Sequence, residues 1–138
     1  MQRFSNRDRL NRRLAALPKT VRRAMEVQNA KNAADLVATM KGLAAVSKDS
    51  GTLQSTITHR DDSDRGGISQ RISAGGSATT RPVRKGAKAF YDYANAVEYG
   101  TSDTQATPFF WPAWRLMRRR LRSRMTRATK KAVKDLFK

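Results

Sequence analysis

Three aspartates at 61, 62 and 64, a single histidine at 59 and glycine pairs at 66–67 and 75–76 are where residue type and spacing could carry chemistry. A calcium loop needs oxygen ligands at set intervals and a glutamate at its twelfth position. Counted from Asp61 or Asp62, that position holds Ile72 or Ser73, so the cluster reads as a solvated turn. The glycine pairs fit neither a G-x-G-x-x-G nor a Gly-Lys-Ser/Thr phosphate frame and read as hairpin and loop glycines. His59 stands beside Arg60 and Asp61, with no third group that sequence can place near it. The two glutamates, Glu26 and Glu98, fall in different elements and make no carboxylate pair. There is no cysteine, which removes disulfides, thiolate metal sites and thiol nucleophiles. No catalytic, cofactor-binding or metal-ligating set is expected, and the chain does not read as an enzyme.

The other chemistry on offer is electrostatic. In 138 residues, 29 Lys and Arg face 11 Asp and Glu, a formal charge of +18. The excess sits at the two ends, with residues 48–110 almost neutral. Such a field favours an anionic partner: nucleic acid, an anionic surface or an acidic protein face. Arg118, Arg119 and Arg122, within the densest run, are the candidate contacts to an acidic partner or to DNA. No helix-turn-helix or zinc-finger pattern accompanies them, so any nucleic-acid contact would be non-specific. The longest apolar runs, Leu14–Leu17 and Leu43–Val46, have four residues, too few for a membrane span or a secretory signal.

These residues need elements to hold them. Leu10, Leu14 and Leu17 recur at helical spacing and predict a first helix over 5–17. Pro18 should break it and open a second helix to about Val46, with Val21, Met25, Leu36, Met40 and Leu43 near one face and Gln28 and Asn32 interrupting. Lys48 to Gly51 is a stop signal. The period then falls to two, predicting strands at Thr52–Thr58 and Gly67–Ala74 joined by an exposed loop, with a weaker third strand in Arg81–Lys88. Phe90, Tyr93 and Val97 predict a short helix from about Phe90 to Tyr99, ended by Gly100. A final helix opens at Pro112. Its stripe is Trp114, Met117, Leu121, Met125, Ala128, Ala132 and Leu136, and its other faces are almost wholly Arg and Lys. The expected class is α+β: long N-terminal helices, a small antiparallel sheet, a short helix and a long basic C-terminal helix. One domain, 1–138, should hold all of this, with 1–17 a basic helix extending from the body and 129–138 a tail open to fraying.

Two segments form a compound pattern: Tyr93-Ala94-Asn95-Ala96-Val97-Glu98-Tyr99-Gly100-Thr101, then Pro108-Phe109-Phe110-Trp111-Pro112-Ala113. Upstream stand Leu17-Pro18 and Gly51-Thr52-Leu53-Gln54-Ser55-Thr56-Ile57. The aromatics of the compound pattern read largely as core. In order and spacing over nearly the whole chain, the sequence resembles the head–tail joining and tail-completion (neck) proteins of long-tailed phages and prophages. The motif residues of that resemblance are Tyr93, Ala94, Val97, Glu98, Tyr99, Gly100, Thr101, Pro108, Phe109, Pro112 and Ala113. Thr56 departs from the pattern, standing where such proteins usually have serine. The resemblance implies a non-enzymatic virion part without cofactors, an α+β protomer that forms a ring, sixfold, at the head–tail junction. It implies assembly in the bacterial cytoplasm, partners among connector, stopper and tail proteins, packaged DNA in the lumen, and no membrane. The competing reading from charge alone is a non-specific nucleic-acid-binding module, which salt dependence of duplex binding would expose.

Overall fold

A computed structural model describes residues 6–47, 50–63 and 67–138. Its class is the one expected, α+β with long terminal helices, although several elements differ in extent or kind.

The first element, α1 (Asn6–Ala44), is a single helix of 39 residues with Pro18 inside it. The expected break is therefore absent. Proline removes one N–H and crowds the preceding turn, but its φ is already near the helical value, so the helix can continue on both sides. The start at Ser5, the Leu10, Leu14 and Leu17 side chains and the stop at Lys48-Asp49 lie outside the described residues. From Thr20 onward α1 runs antiparallel to α4 (Phe110–Leu136): residues 20–28 face 128–135, and residues 29–36 face 114–125. Small side chains, Ala33 and Ala44 on α1 and Ala113 and Ala132 on α4, are buried along this pair. The polar interruption of the α1 stripe is used as a cross-link. Buried Asn32 donates from Nδ2 to the Leu121 carbonyl at 3.2 Å and accepts from Gln28 Nε2 at 2.9 Å. Arg124 pairs with Asp35 outside it.

The strand expected at Thr52–Thr58 is instead a helix, α2 (Ser50–Thr56). Leu53 and Ile57, both 0% exposed, are four residues apart, a spacing that suits a helical face as well as alternate positions of a strand. The hydroxyls of Ser55 and Thr56 donate to the carbonyls of Thr52 and Leu53 at 2.7 Å and satisfy acceptors that a short helix leaves open. The first strand of the hairpin consequently lies later, at β1 (Thr58–Asp61). It pairs antiparallel with β2 (Gln70–Ser73), Thr58 opposite Ser73 and Asp61 opposite Gln70. The part of the expected loop at Asp64-Arg65-Gly66 lies outside the described residues.

A second two-stranded sheet, β3 (Thr80–Pro82) with β4 (Phe90–Asp92), replaces the single weak strand expected at Arg81–Lys88. Phe90 accordingly belongs to a strand, and the short helix α3 (Tyr93–Tyr99) begins three residues later than its periodicity suggested. Asp92 sets that boundary. Its Oδ1 accepts from the Ala94 amide at 2.9 Å and from the Thr79 hydroxyl at 2.6 Å, and its Oδ2 accepts from the Gly76 amide at 2.8 Å. Asp is a preferred N-cap, and here one carboxylate also fixes the 76–79 turn. Gly75 has φ +90°, and a Cβ there would meet Asp92 Oδ2 at 2.3 Å, so the close approach requires glycine. The main core gathers Leu36, Val37, Met40 and Ala44 of α1 with Leu53, Ile57, Tyr93, Ala94, Phe109, Ala113, Met117 and Leu121.

Candidate interaction site at the α3–α4 junction

The first four N–H groups of a helix have no partner within it. In α4 these belong to Phe109, Phe110, Trp111 and Pro112, and its first turn has no acidic residue. Pro112 has no N–H to satisfy. The other three all donate to one buried side chain from another element: Glu98 Oε2 accepts from Phe109 and Phe110 at 2.8 Å each, and Oε1 accepts from Trp111 at 3.0 Å. A carboxylate at a helix N-terminus also meets the positive end of the macrodipole, worth up to about 2 kcal/mol when partly buried.

The motif residues around Glu98 serve this contact. Tyr93 and Ala94 bury the first turn of α3 in the core. Gly100 ends the helix as expected, at φ 78° and ψ 176°, a region open essentially to glycine, and its N–H donates to Ala96 O at 2.8 Å. A Cβ at Gly100 would stand 3.0 Å from both Ala106 N and Thr104 O. The Thr101 hydroxyl accepts from the amides of Asp103 and Thr104, and Thr107 N–H returns to Val97 O at 2.8 Å. The loop therefore closes on α3 and delivers the Phe109 amide to Glu98. Pro108 is exposed and Pro112 half-buried, whereas Phe109 at 1% and Ala113 at 0% exposure anchor the turn in the core.

The aromatics divide. Phe109 is core, but Tyr99 is 68% exposed and Trp111 47%. Trp111 Nε1 donates to Tyr99 Oη at 2.9 Å, and Phe110 packs edge-on to Trp111. These two rings border a shallow cleft of about 300 Å³ that Glu98 also lines. Trp114, expected in the buried stripe, is 41% exposed and borders a groove with Ile68 and Leu121; the rest of that stripe is at least half-buried, with Met117, Leu121 and Ala132 most covered. The expectation that the aromatics are mainly core is thus corrected for Tyr99, Trp111 and Trp114.

Arg118, Arg119 and Arg122 are all exposed, and Arg122 stands between the surfaces of the other two. Arg118 lies beside Trp114 and Leu121 in a groove that Arg122 also lines, whereas Arg119 shares a surface with Arg122, Arg127 and Lys130. On α4, ten pairs of like charges stand three or four residues apart. At roughly 0.2–0.5 kcal/mol a pair, the unscreened repulsion is on the order of 2–5 kcal/mol.

His59 is exposed, with Nδ1 3.1 Å from Gln70 Oε1. The Ser63 side chain, together with the Ser63 amide that donates to Asp61, holds the Asp61 carboxyl below the usual range, and Asp62 pairs with Arg71 at 2.7 Å. That is turn chemistry; Asp64 lies outside the described residues. Among the described residues no three His, Cys, Asp or Glu gather as a metal site, and no helix is long and apolar enough to cross a membrane. No protein-family model, curated protein or solved structure matches the chain.

Proposed function

We propose that this chain is a non-enzymatic structural subunit of the head–tail neck of a tailed phage or prophage. Like protomers would form a ring, sixfold, docked between connector or stopper proteins and the tail, assembled in the bacterial cytoplasm and carried in the virion. The observation that carries the reading is the Glu98 junction. The two segments that bear the resemblance, Tyr93–Thr101 and Pro108–Ala113, are one mechanical unit joined by three hydrogen bonds to one carboxylate. Their spacing in this sequence therefore reflects one structural requirement, which supports reading the two segments as a single pattern.

The outer side of that unit suits protomer contact. Tyr99 and Trp111 are held by their mutual hydrogen bond and leave large ring surfaces in water. Aromatic side chains of this kind are enriched at protein interfaces, where a fixed ring loses little entropy on docking. A chain whose long helices are covered on one side only has surface for neighbours to complete.

The test is incorporation into particles by a Tyr99→Ala/Trp111→Ala variant. It should keep the cooperative unfolding of the wild type yet be depleted from purified virions. Normal incorporation of the variant would remove the aromatic unit from the interface, and absence of the wild-type chain from virions would overturn the reading as a whole.

A further inference from the structure

We propose that the outer face of α4 is a binding surface for the phosphate backbone of double-stranded DNA. The surface is argued from α4 itself and stands apart from the assembly the chain joins. Arg119, Arg122, Ser123, Thr126, Arg127 and Lys130 share one exposed stretch of the α4 surface. Arg119 and Lys130 each stand two residues from a buried stripe position, Leu121 and Ala132, which at 3.6 residues per turn is the opposite side of the helix. The core side of α4 is thus spent on α1, and Arg119, Arg122, Arg127 and Lys130 are all exposed. The four cations span about 16 Å of helix axis. Among the described residues none of them has an ion-pair partner, in contrast to Arg124, which pairs with Asp35.

The composition of the face selects among anionic partners. A protein interface is built round an uncharged, usually aromatic or aliphatic centre, and none of the six side chains supplies one. Leu116, exposed on α4, stands three residues before Arg119 and is not among them. Single-stranded nucleic acid is held by bases stacked on aromatic rings, and this face has no ring. Base reading is commonly done by Asn and Gln as well as Arg, and the face has neither amide. What remains is a row of cations, three of them guanidinium groups whose planar forks match phosphate oxygens, as duplex backbone contact requires. The repulsion along α4 would be relieved when phosphates enter.

The experiment uses the full chain and a fluorescein-labelled 30-base-pair DNA duplex of mixed sequence, followed by anisotropy from 50 to 300 mM NaCl. Each phosphate contact contributes about −0.9 to the slope of log K against log salt. The variant R119Q/R122Q/R127Q/K130Q should bind at least tenfold more weakly at 100 mM salt, and its slope should be shallower by about 3 to 4. A control with the same charge removed elsewhere, R60Q/R84Q/K85Q/K88Q, should lose far less. Circular dichroism establishes that both variants are folded. Equal losses in the two variants would show that net charge alone drives binding and would overturn the assignment. It would also be overturned if a 30-nucleotide single strand or polyglutamate bound as tightly as the duplex, the latter pointing to an acidic protein partner.

Discussion

Replacing Glu98 by Gln keeps the size of the side chain and changes only what the α4 N-terminus meets. The carboxylate accepts three amide hydrogen bonds, two on Oε2 and one on Oε1. Glutamine has one carbonyl oxygen, so at least one of those amides loses its acceptor and faces an NH2 donor instead. A hydrogen bond to a charged group is worth about 1.5–3 kcal/mol. The charge itself contributes up to about 2 kcal/mol against the macrodipole. The two overlap, because the same charge strengthens the bonds, so the expected loss is about 2–4 kcal/mol. For a chain of this length that is a fall in Tm of roughly 10 °C. Urea unfolding followed by circular dichroism gives the free energy, and amide hydrogen exchange should show Phe109, Phe110 and Trp111 opening faster than the rest of α4. Asp103→Asn, at an exposed acid of the same loop, should change stability by less than about 0.5 kcal/mol. If Glu98→Gln unfolded within that margin of the wild type, the carboxylate would not be holding the junction, and the motif would need another explanation.

Gly100→Val should lose about 1–3 kcal/mol through strain at positive φ, with further loss from the 3.0 Å approach to Ala106 N and Thr104 O; an unchanged melting temperature would contradict the left-handed turn. Leu121→Ala, in the buried stripe, should cost about 2–5 kcal/mol in urea unfolding, whereas Arg118→Gln, Arg119→Gln and Arg122→Gln should each shift it by less than about 0.5 kcal/mol. Burial opposes ionisation of Asp92, but hydrogen bonds from Thr79, Ala94 and Gly76 outweigh it and hold the carboxyl below its usual range. A depressed carboxyl contributes stability that is complete above its unfolded pKa near 3.9 and is lost as pH falls through the folded value. The wild type should therefore lose more stability than Asp92→Asn as the pH falls below about 4, and parallel melting curves would remove the claim.

Much of the fold follows from periodicity. The long runs of α1 and α4 and the Gly100 stop were legible because many residues repeat one spacing and glycine alone fits the turn. Leu53 and Ile57 misled because a separation of four is shared by both periods, and a helix of seven residues gives too little sequence to decide between them. Pro18 misled because one proline weakens a helix without having to end it. Phe90 was drawn into α3 by its spacing from Tyr93, while the N-cap signal of Asp92 between them marked the true start. At the site, spacing picked out the two segments that meet at Glu98, but the role of Glu98 was not readable, since its partner amide at Phe109 lies eleven positions further along the chain. The exposure of Trp111 and Trp114 depends on what packs over the start of α4, which spacing along α4 does not contain. Lys130 could have been found by projecting the charges on a helical wheel and reading opposite Ala132.

The central claim is that this chain is a ring subunit at a phage neck. The most direct measurement is an averaged electron-microscopy reconstruction of tailed particles released from cells expressing the chain with its neighbouring phage genes. A ring subunit should give a closed ring of identical copies at the head–tail junction, sixfold, with the Tyr99–Trp111 surface against the adjacent protomer. A junction without this chain, or with a single copy of it, would contradict the proposed role.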